Sequence, residues 1–310
     1  MKRLQNKIAE SSLTLPTATL VAMLSVVVGL AGTLPTFEQW VSLACMGISA
    51  YMMVELSNGN ALIRVRNRMV TSTFLLLSMA GGFIIGHVPA MLTQLFFIAA
   101  LLVLFTTYQD KQSEGRVFYA FMLLGFASCT FVQSFMLIPV LWILMATQLQ
   151  SLTLRSWFAS LFGLTMPYWL MLPWLVLGQN FAPWVTHFQQ LVTFGPLFDF
   201  SAVTVSQAAI YLFTLILSVM GIIHFWNRSY EDKIRIRLLY GFFTTMTLVC
   251  MVFILLQPQH YATLMRLTLV FASPLIAHFL VLTSSKITNI VFVLAIVTTV
   301  AITIVNQLHL

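Results

Sequence analysis

Apolar residues in this chain come in long unbroken runs, with none of the alternation or three-to-four spacing of half-buried surface elements. The runs recur at about 15–34, 40–56, 70–86, 90–107, 117–132, 136–149, 157–177, 204–225, 238–256, 264–283 and 287–305. A membrane-spanning helix takes roughly 20 predominantly apolar residues, so the pattern predicts an all-α, polytopic transmembrane bundle of about eleven spans. The stretch 117–149 is too long for one helix and is interrupted by the polar pair Gln133-Ser134; it reads as a tight helical hairpin. The first run ends in Gly32-Thr33-Leu34-Pro35, a poor small-residue cleavage site, and is expected to be a retained span.

One long connection departs from the pattern. Within 178–203, Phe181, Trp184, Val185, Phe188, Leu191 and Val192 recur at helical spacing, with Thr186, Gln189, Gln190 and Thr193 between them. This predicts an amphipathic helix lying in the membrane interface. Gly195-Pro196 ends it, and residues 197–200 turn back toward the membrane. Pro139, Pro167, Pro173 and Pro274 are expected inside spans as kinks. Gly82 and Gly86 are expected to form a small-residue face for helix packing.

Composition sharpens this reading. Of 310 residues, 60% are hydrophobic and 7% charged, where soluble domains carry about a quarter charged. Residues 1–310 therefore form one integral-membrane domain with no room for a soluble one. The net charge of +7 is dispersed. Lys2, Arg3, Lys7, Arg64, Arg66, Arg68, Lys111, Arg116, Arg155, Arg228, Lys233, Arg235, Arg237 and Lys286 fall on alternate connections, and Arg266 alone does not. The positive-inside rule makes the first set cytoplasmic, places the N-terminus inside, and puts 178–203 and the C-terminal 306–310 outside. The dispersed basic residues suit anionic lipids and exclude nucleic acid as a partner. Cys45, Cys129 and Cys250 lie in apolar runs without paired spacing, so neither disulfide, metal nor cofactor is expected.

Candidate chemistry concentrates on the external side, among Glu38, His87, His187, Asp199, Gln257, Gln259, His260, Tyr261 and Arg266. The forked guanidinium of Arg266 suits a lipid phosphate, with Tyr261, His260 and His187 as companions in that site. The bland alternative is snorkelling to headgroups or pairing with Asp199 or Glu38. Asp199 and Glu38 are the external carboxylates, hence the candidate catalytic bases for activating a hydroxyl, with a histidine such as His187 or His260 as the alternative. His278 lies deep in a span, where an ionisable group is either functional or a hydrogen-bonded packing imidazole.

Two resemblances follow from particular residues. The segment from Asn60 to Trp169 holds Asn-Ala-Leu-Ile-Arg-Val-Arg-Asn-Arg at 60–68, Thr-Tyr-Gln-Asp at 107–110, Phe-Tyr-Ala-Phe-Met-Leu-Leu-Gly at 118–125 and Pro167-Tyr168-Trp169. It resembles an uncharacterised family of bacterial polytopic inner-membrane proteins. The order of arginine-bearing turn, paired spans and late His260-Tyr261, Arg266 and Pro274-Leu275 is similar to the layout of GT-C-fold glycosyltransferases. Those enzymes use polyprenyl-phosphate-linked sugars at the outer face. The resemblance implies that Arg266 holds the lipid phosphate and Glu38 is the catalytic acid. That family's first external loop is long, whereas here only about Pro35–Gln39 connects the spans.

Three readings result. The first is an inner-membrane protein handling or transferring a polyprenyl-phosphate-linked glycan, which predicts an outward cavity holding Arg266 with a carboxylate in reach. The second is a non-catalytic membrane subunit or scaffold in cell-envelope assembly, docking a protein partner through the Arg64–Arg68 turn. The third is a transporter or flippase, which predicts a midplane cavity between broken helices.

Overall fold

The computed structural model describes residues 3–30, 34–65, 67–178, 181–201 and 203–307, and every regular element among them is helical. Lys2, Arg66 and the end of the chain past Gln307, expected in connections and at the outer terminus, lie outside the described residues. In order the helices are α1 (Leu4–Glu10), α2 (Thr14–Gly29), α3 (Phe37–Gly59), α4 (Met69–Ala80), α5 (Val88–Leu104), α6 (Glu114–Thr130), α7 (Ile138–Thr147), α8 (Leu154–Gly178), α9 (Ala182–Val192), α10 (Val205–Arg228), α11 (Ile234–Leu256), α12 (Tyr261–Leu282) and α13 (Lys286–Gln307).

Each apolar run contains a helix, but the helices differ in reach. Seven of them, α3, α5, α8 and α10 to α13, are long and apolar enough to cross a membrane. The pair α1 and α2 would make an eighth, bent by 92° at its break. By contrast α4 has 12 residues, roughly 18 Å at 1.5 Å per residue, against a hydrocarbon core of about 30 Å. It stops because Gly82 takes φ +68°, a conformation that ends a right-handed helix. Gly82 and Gly86 therefore shape a turn and do not form the expected packing face. The long stretch 117–149 breaks at Phe131, where the backbone is extended, and resumes as a 3-10 segment, Val132–Leu137, ahead of α7. Pro139 sits in the first turn of α7, where its missing N–H costs nothing. Pro167, Pro173 and Pro274 do lie inside helices.

At the centre stands α12, which packs against α4, α5, α10 and α11. Every residue from Leu264 to Val281 is buried. The short α1 closes one of its ends: Gln5 Nε2 donates to the Leu280 carbonyl (2.6 Å) and to Thr283 Oγ1 (2.8 Å). The outer helices instead present large apolar side chains outward, among them Leu20 and Val27 on α2, Trp169 and Trp174 on α8, and Leu294 and Val297 on α13. In water such a surface would drive aggregation; against lipid it is the stable arrangement. The chain is a helical membrane protein.

The α6–α8 crossing is set by two glycines. A Cβ at Gly125 would lie 2.6 Å from the Leu164 carbonyl oxygen, and one at Gly163 would run into the Phe118 carbonyl. Close backbone approach through small residues is how membrane helices gain packing energy where water provides no driving force. Gly163→Val is expected to cost at least the 1–3 kcal/mol (about) typical of overpacking and to lower the thermal midpoint in micelles. Gly115→Ala, with open space around its Cβ, should melt like the parent. Equal melting of the two variants would contradict this crossing.

Candidate functional site

Arg266 is the one basic residue that breaks the charge pattern, and its side chain is 3% exposed. Nη1 donates to the Phe83 carbonyl (2.5 Å) and contacts Met91 Sδ (3.2 Å). The guanidinium carbon lies 4.8 Å from the centre of the Phe83 ring, a cation–π contact whose strength grows as water is removed. Nε has no partner. Among the described residues no carboxylate forms an ion pair with it. The turn between α4 and α5 is built around this side chain. A Cβ at Gly86 would collide with Arg266 Nη2, and Ser42 Oγ donates to the Gly86 carbonyl (2.8 Å). The geometry thus makes Arg266 a clamp from α12 onto the turn at 81–87.

The other candidates from the sequence separate into two groups. Glu38 is exposed in the first turn of α3, behind the capping box of Thr36 and Gln39. Asp199 is exposed, and its Oδ1 accepts from the Ser201 backbone N–H (3.0 Å). That hydrogen bonding, from the Ser201 side chain and then its backbone, holds the carboxyl below its ordinary value. Tyr261 is buried and donates to the Gln207 carbonyl (2.8 Å). Asp199 and Tyr261 bond within the protein where they stand.

His187 and His260, by contrast, meet in one cavity of about 430 Å³. It is bounded by the α6–α7 break, by α9 and by the 3-10 turn that precedes α12. Its walls carry the hydroxyls of Thr130 and Thr193, the amides of Gln133, Gln190 and Gln259, both imidazoles, and Phe131. His187 Nε2 lies 3.3 Å from Tyr168 Oη, which in turn lies 2.8 Å from Ser128 Oγ. The His260 ring meets Phe131 edge-on at 5.4 Å. Gln133 Nε2 donates to the Gln190 carbonyl (3.4 Å), fastening α9 over the break. Glu38, Asp199, Tyr261 and Arg266 are not among the lining residues.

A second cavity, of about 460 Å³, draws part of its lining from residues close in sequence to those of the first. The same three segments serve both: Thr193, Gln133 and Gln259 line the polar one, while Phe194, Leu137 and Gln257 line its neighbour. Here the walls are apolar, with Leu197, Leu248, Val252, Phe253 and Leu256. Gln257 Nε2 donates to the Gly195 carbonyl (3.4 Å) between the two. Leu248, Val252 and Leu256 are exposed on the outer surface of α11, so this cavity borders lipid. Of the polar lining, Gln133 was visible in the sequence only as a helix breaker, and Gln190 only as the polar face of an amphipathic helix.

His278 is fully buried and hydrogen-bonded at the opposite, arginine-rich end of the bundle, to Asp232 and His224. Neither partner stands out in the sequence, since Asp232 sits in a charged connection and His224 at a span end. In that connection Glu231 accepts from Arg64 (2.5 Å) and Arg228 (2.7 Å). Arg64, in the basic turn, is thus tied into the protein. No convergence of three His, Cys, Asp or Glu side chains able to hold a metal ion occurs among the described residues. Compared with protein-family profiles, curated proteins and solved structures, the chain finds no match.

Two outcomes follow from this geometry. Arg266→Ala and Gly86→Ala should each destabilise the protein by about 1.5–3 kcal/mol, the scale of a lost hydrogen bond to a charged group. Because both act on one clamp, their thermal losses should be clearly less than additive in the double variant; additive losses would separate Gly86 from Arg266. Burial holds the His187 imidazole below its ordinary value of 6.5. The unfolded or undocked segment therefore takes up its proton first as pH falls, and docking of α9 weakens below about 6.5 and is complete above it. Limited proteolysis within 178–203 should accelerate at pH 5.5 relative to pH 7.5, and a rate that falls would contradict the assignment.

Proposed function

We propose that this protein binds a lipid-linked glycan at the outer face of the bacterial cytoplasmic membrane. The observation that carries the reading is the pairing of a polar cavity with an apolar one at the end of the bundle opposite most of its arginines. Three glutamines and two histidines line the polar cavity with Phe131, Thr130 and Thr193, the two hydroxyls donating to their own helices and left to accept. Hydroxyl-rich rings are bound by such groups, few in number and fixed in direction. The apolar cavity, built from the same segments and from exposed apolar residues of α11, suits the first units of an acyl or prenyl chain. With the basic connections on the cytoplasmic side, this end faces outward.

Holding the lipid, and not transferring its sugar, is the favoured form of the activity. A transfer step needs a base beside the acceptor; Asp199 and Glu38 are exposed away from the cavity walls, and the two imidazoles that line it are assigned here to the phosphate. The charge of Arg266 is already engaged by the Phe83 carbonyl and ring, so the phosphate-anchor role passes from it to the imidazoles of His187 and His260. A binding subunit that presents a lipid-linked glycan to envelope-assembly partners fits this arrangement.

Native mass spectrometry of the protein in lipid discs drawn from its own membrane tests the proposal. Wild type should retain a polyprenyl-phosphate or glycolipid species, and Glu38→Ala should retain it equally. The double variant Gln190→Ala/His260→Ala should retain at least tenfold less. Bulk phospholipid alone on all three would overturn the reading.

A further inference from the structure

The arginine-rich end of the bundle holds a second polar centre, built beside a close contact between α10 and α12. A Cβ at Gly221 would lie 2.6 Å from the Leu275 carbonyl oxygen. Three residues further along both helices, His224 and His278 come together, with their Nδ1 atoms 3.3 Å apart. On its other side His278 Nε2 lies 3.1 Å from Asp232 Oδ2. The side chains of His278 and Asp232 are 0% and 3% exposed, whereas His224 is only half-buried. Tyr240 of α11 packs edge-on against the His278 ring at 4.7 Å, and its hydroxyl has no partner.

The charged groups around this centre are Asp232 and Glu231 from the α10–α11 connection, Arg228 from the end of α10 and Arg64 from the α3–α4 connection. Both arginines are engaged by Glu231. Among the described residues no lysine or arginine pairs with Asp232: its inward contact is His278. A buried carboxylate facing a neutral ring is costly, and it draws a positive charge to that ring.

Hydrogen positions follow from the chemistry of the partners. A carboxylate only accepts, so His278 Nε2 carries a hydrogen. In the neutral ring Nδ1 must then accept, and His224 donates to it from its own Nδ1. That leaves His224 Nε2 as the basic atom at the edge of the cluster.

We infer that His224, His278 and Asp232 form a proton-binding chain. A proton taken up at His224 Nε2 is matched by transfer of the His224 Nδ1 proton to His278 Nδ1. Charge then rests on His278 as an imidazolium against Asp232. The net change is one proton gained; no bond between heavy atoms is made or broken, and the hydrogen bond between the two rings reverses direction. The chain joins α10, α12 and the α10–α11 connection, so proton uptake replaces a contact between a carboxylate and a neutral ring with an ion pair. This site is independent of the cavity pair at the opposite end.

The test is nitrogen NMR of the full-length protein, 15N-labelled at histidine, in lipid discs, with the two rings assigned from His224→Gln and His278→Gln. In wild type both rings should titrate together in one step with a single proton gained. In Asp232→Asn the midpoint should fall by about one pH unit or more, a tenfold loss of proton affinity. Unrelated midpoints for the two rings in wild type would overturn the inference, and that result needs no variant to fold. A midpoint unmoved by Asp232→Asn would overturn it equally.

Discussion

A helix buried on every side within a membrane protein must settle each of its polar groups with protein atoms, because neither water nor headgroups can reach them. That constraint falls on α12. Its apolar residues suit their surroundings without further provision, and its serine and threonine hydroxyls bond back to its own turn, as Thr268 does to Leu264 and Ser273 to Leu269. Arg266 and His278 need more, and the chain supplies it differently at the two ends. For Arg266 it shortens α4, turns the backbone through Gly82, leaves Gly86 without a side chain, and aims the Phe83 carbonyl at the guanidinium. For His278 it brings a carboxylate from one connection and a second imidazole from a neighbouring helix.

Much of the architecture follows from these provisions. The turn at 81–87 is held by Arg266 from within and by Ser42 from α3. The α10–α12 contact is close enough for the paired imidazoles only because Gly221 admits the Leu275 carbonyl. Around this centre the remaining helices need only cover apolar surface and meet lipid, and α2, α8 and α13 do so with largely exposed faces. The cavity pair lies where that covering is made of irregular backbone, at the α6–α7 break, the residues after α9 and the turn before α12. Carbonyls at helix ends and outside helices must find partners among side chains: Gln133 meets the Gln190 carbonyl in the last turn of α9, and Gln257, itself held by Gln259, meets that of Gly195.

Hydropathy made the helices legible, because long apolar runs allow little else in lipid. Their lengths were less legible: the residues after α4 continue apolar through Ile84 and Ile85, and a hydropathy profile does not register the φ of Gly82. The amphipathic α9 was legible from spacing alone. Arg266 was visible as an exception, but its partner was not. Sequence reasoning looks for opposite charge, and the guanidinium is met by a carbonyl 183 residues away. Asp232 was hidden by its neighbours, since a carboxylate between Glu231 and Lys233 looks like a solvated one. His187 and His260 could be noted as polar groups on the same side, but only the fold brings them into one cavity.

The roles of Arg266 and His278 depend on α12 being sealed from lipid. A photoactivatable apolar probe dissolved in the bilayer, followed by peptide mapping, reads this directly on the unmodified protein. Labelling should be heavy on α2, α8 and α13 and absent from residues 264–281. Adducts spread along α12 at the level found on α13 would show a lipid-facing helix, and the roles assigned here to Arg266 and His278 would fall with it.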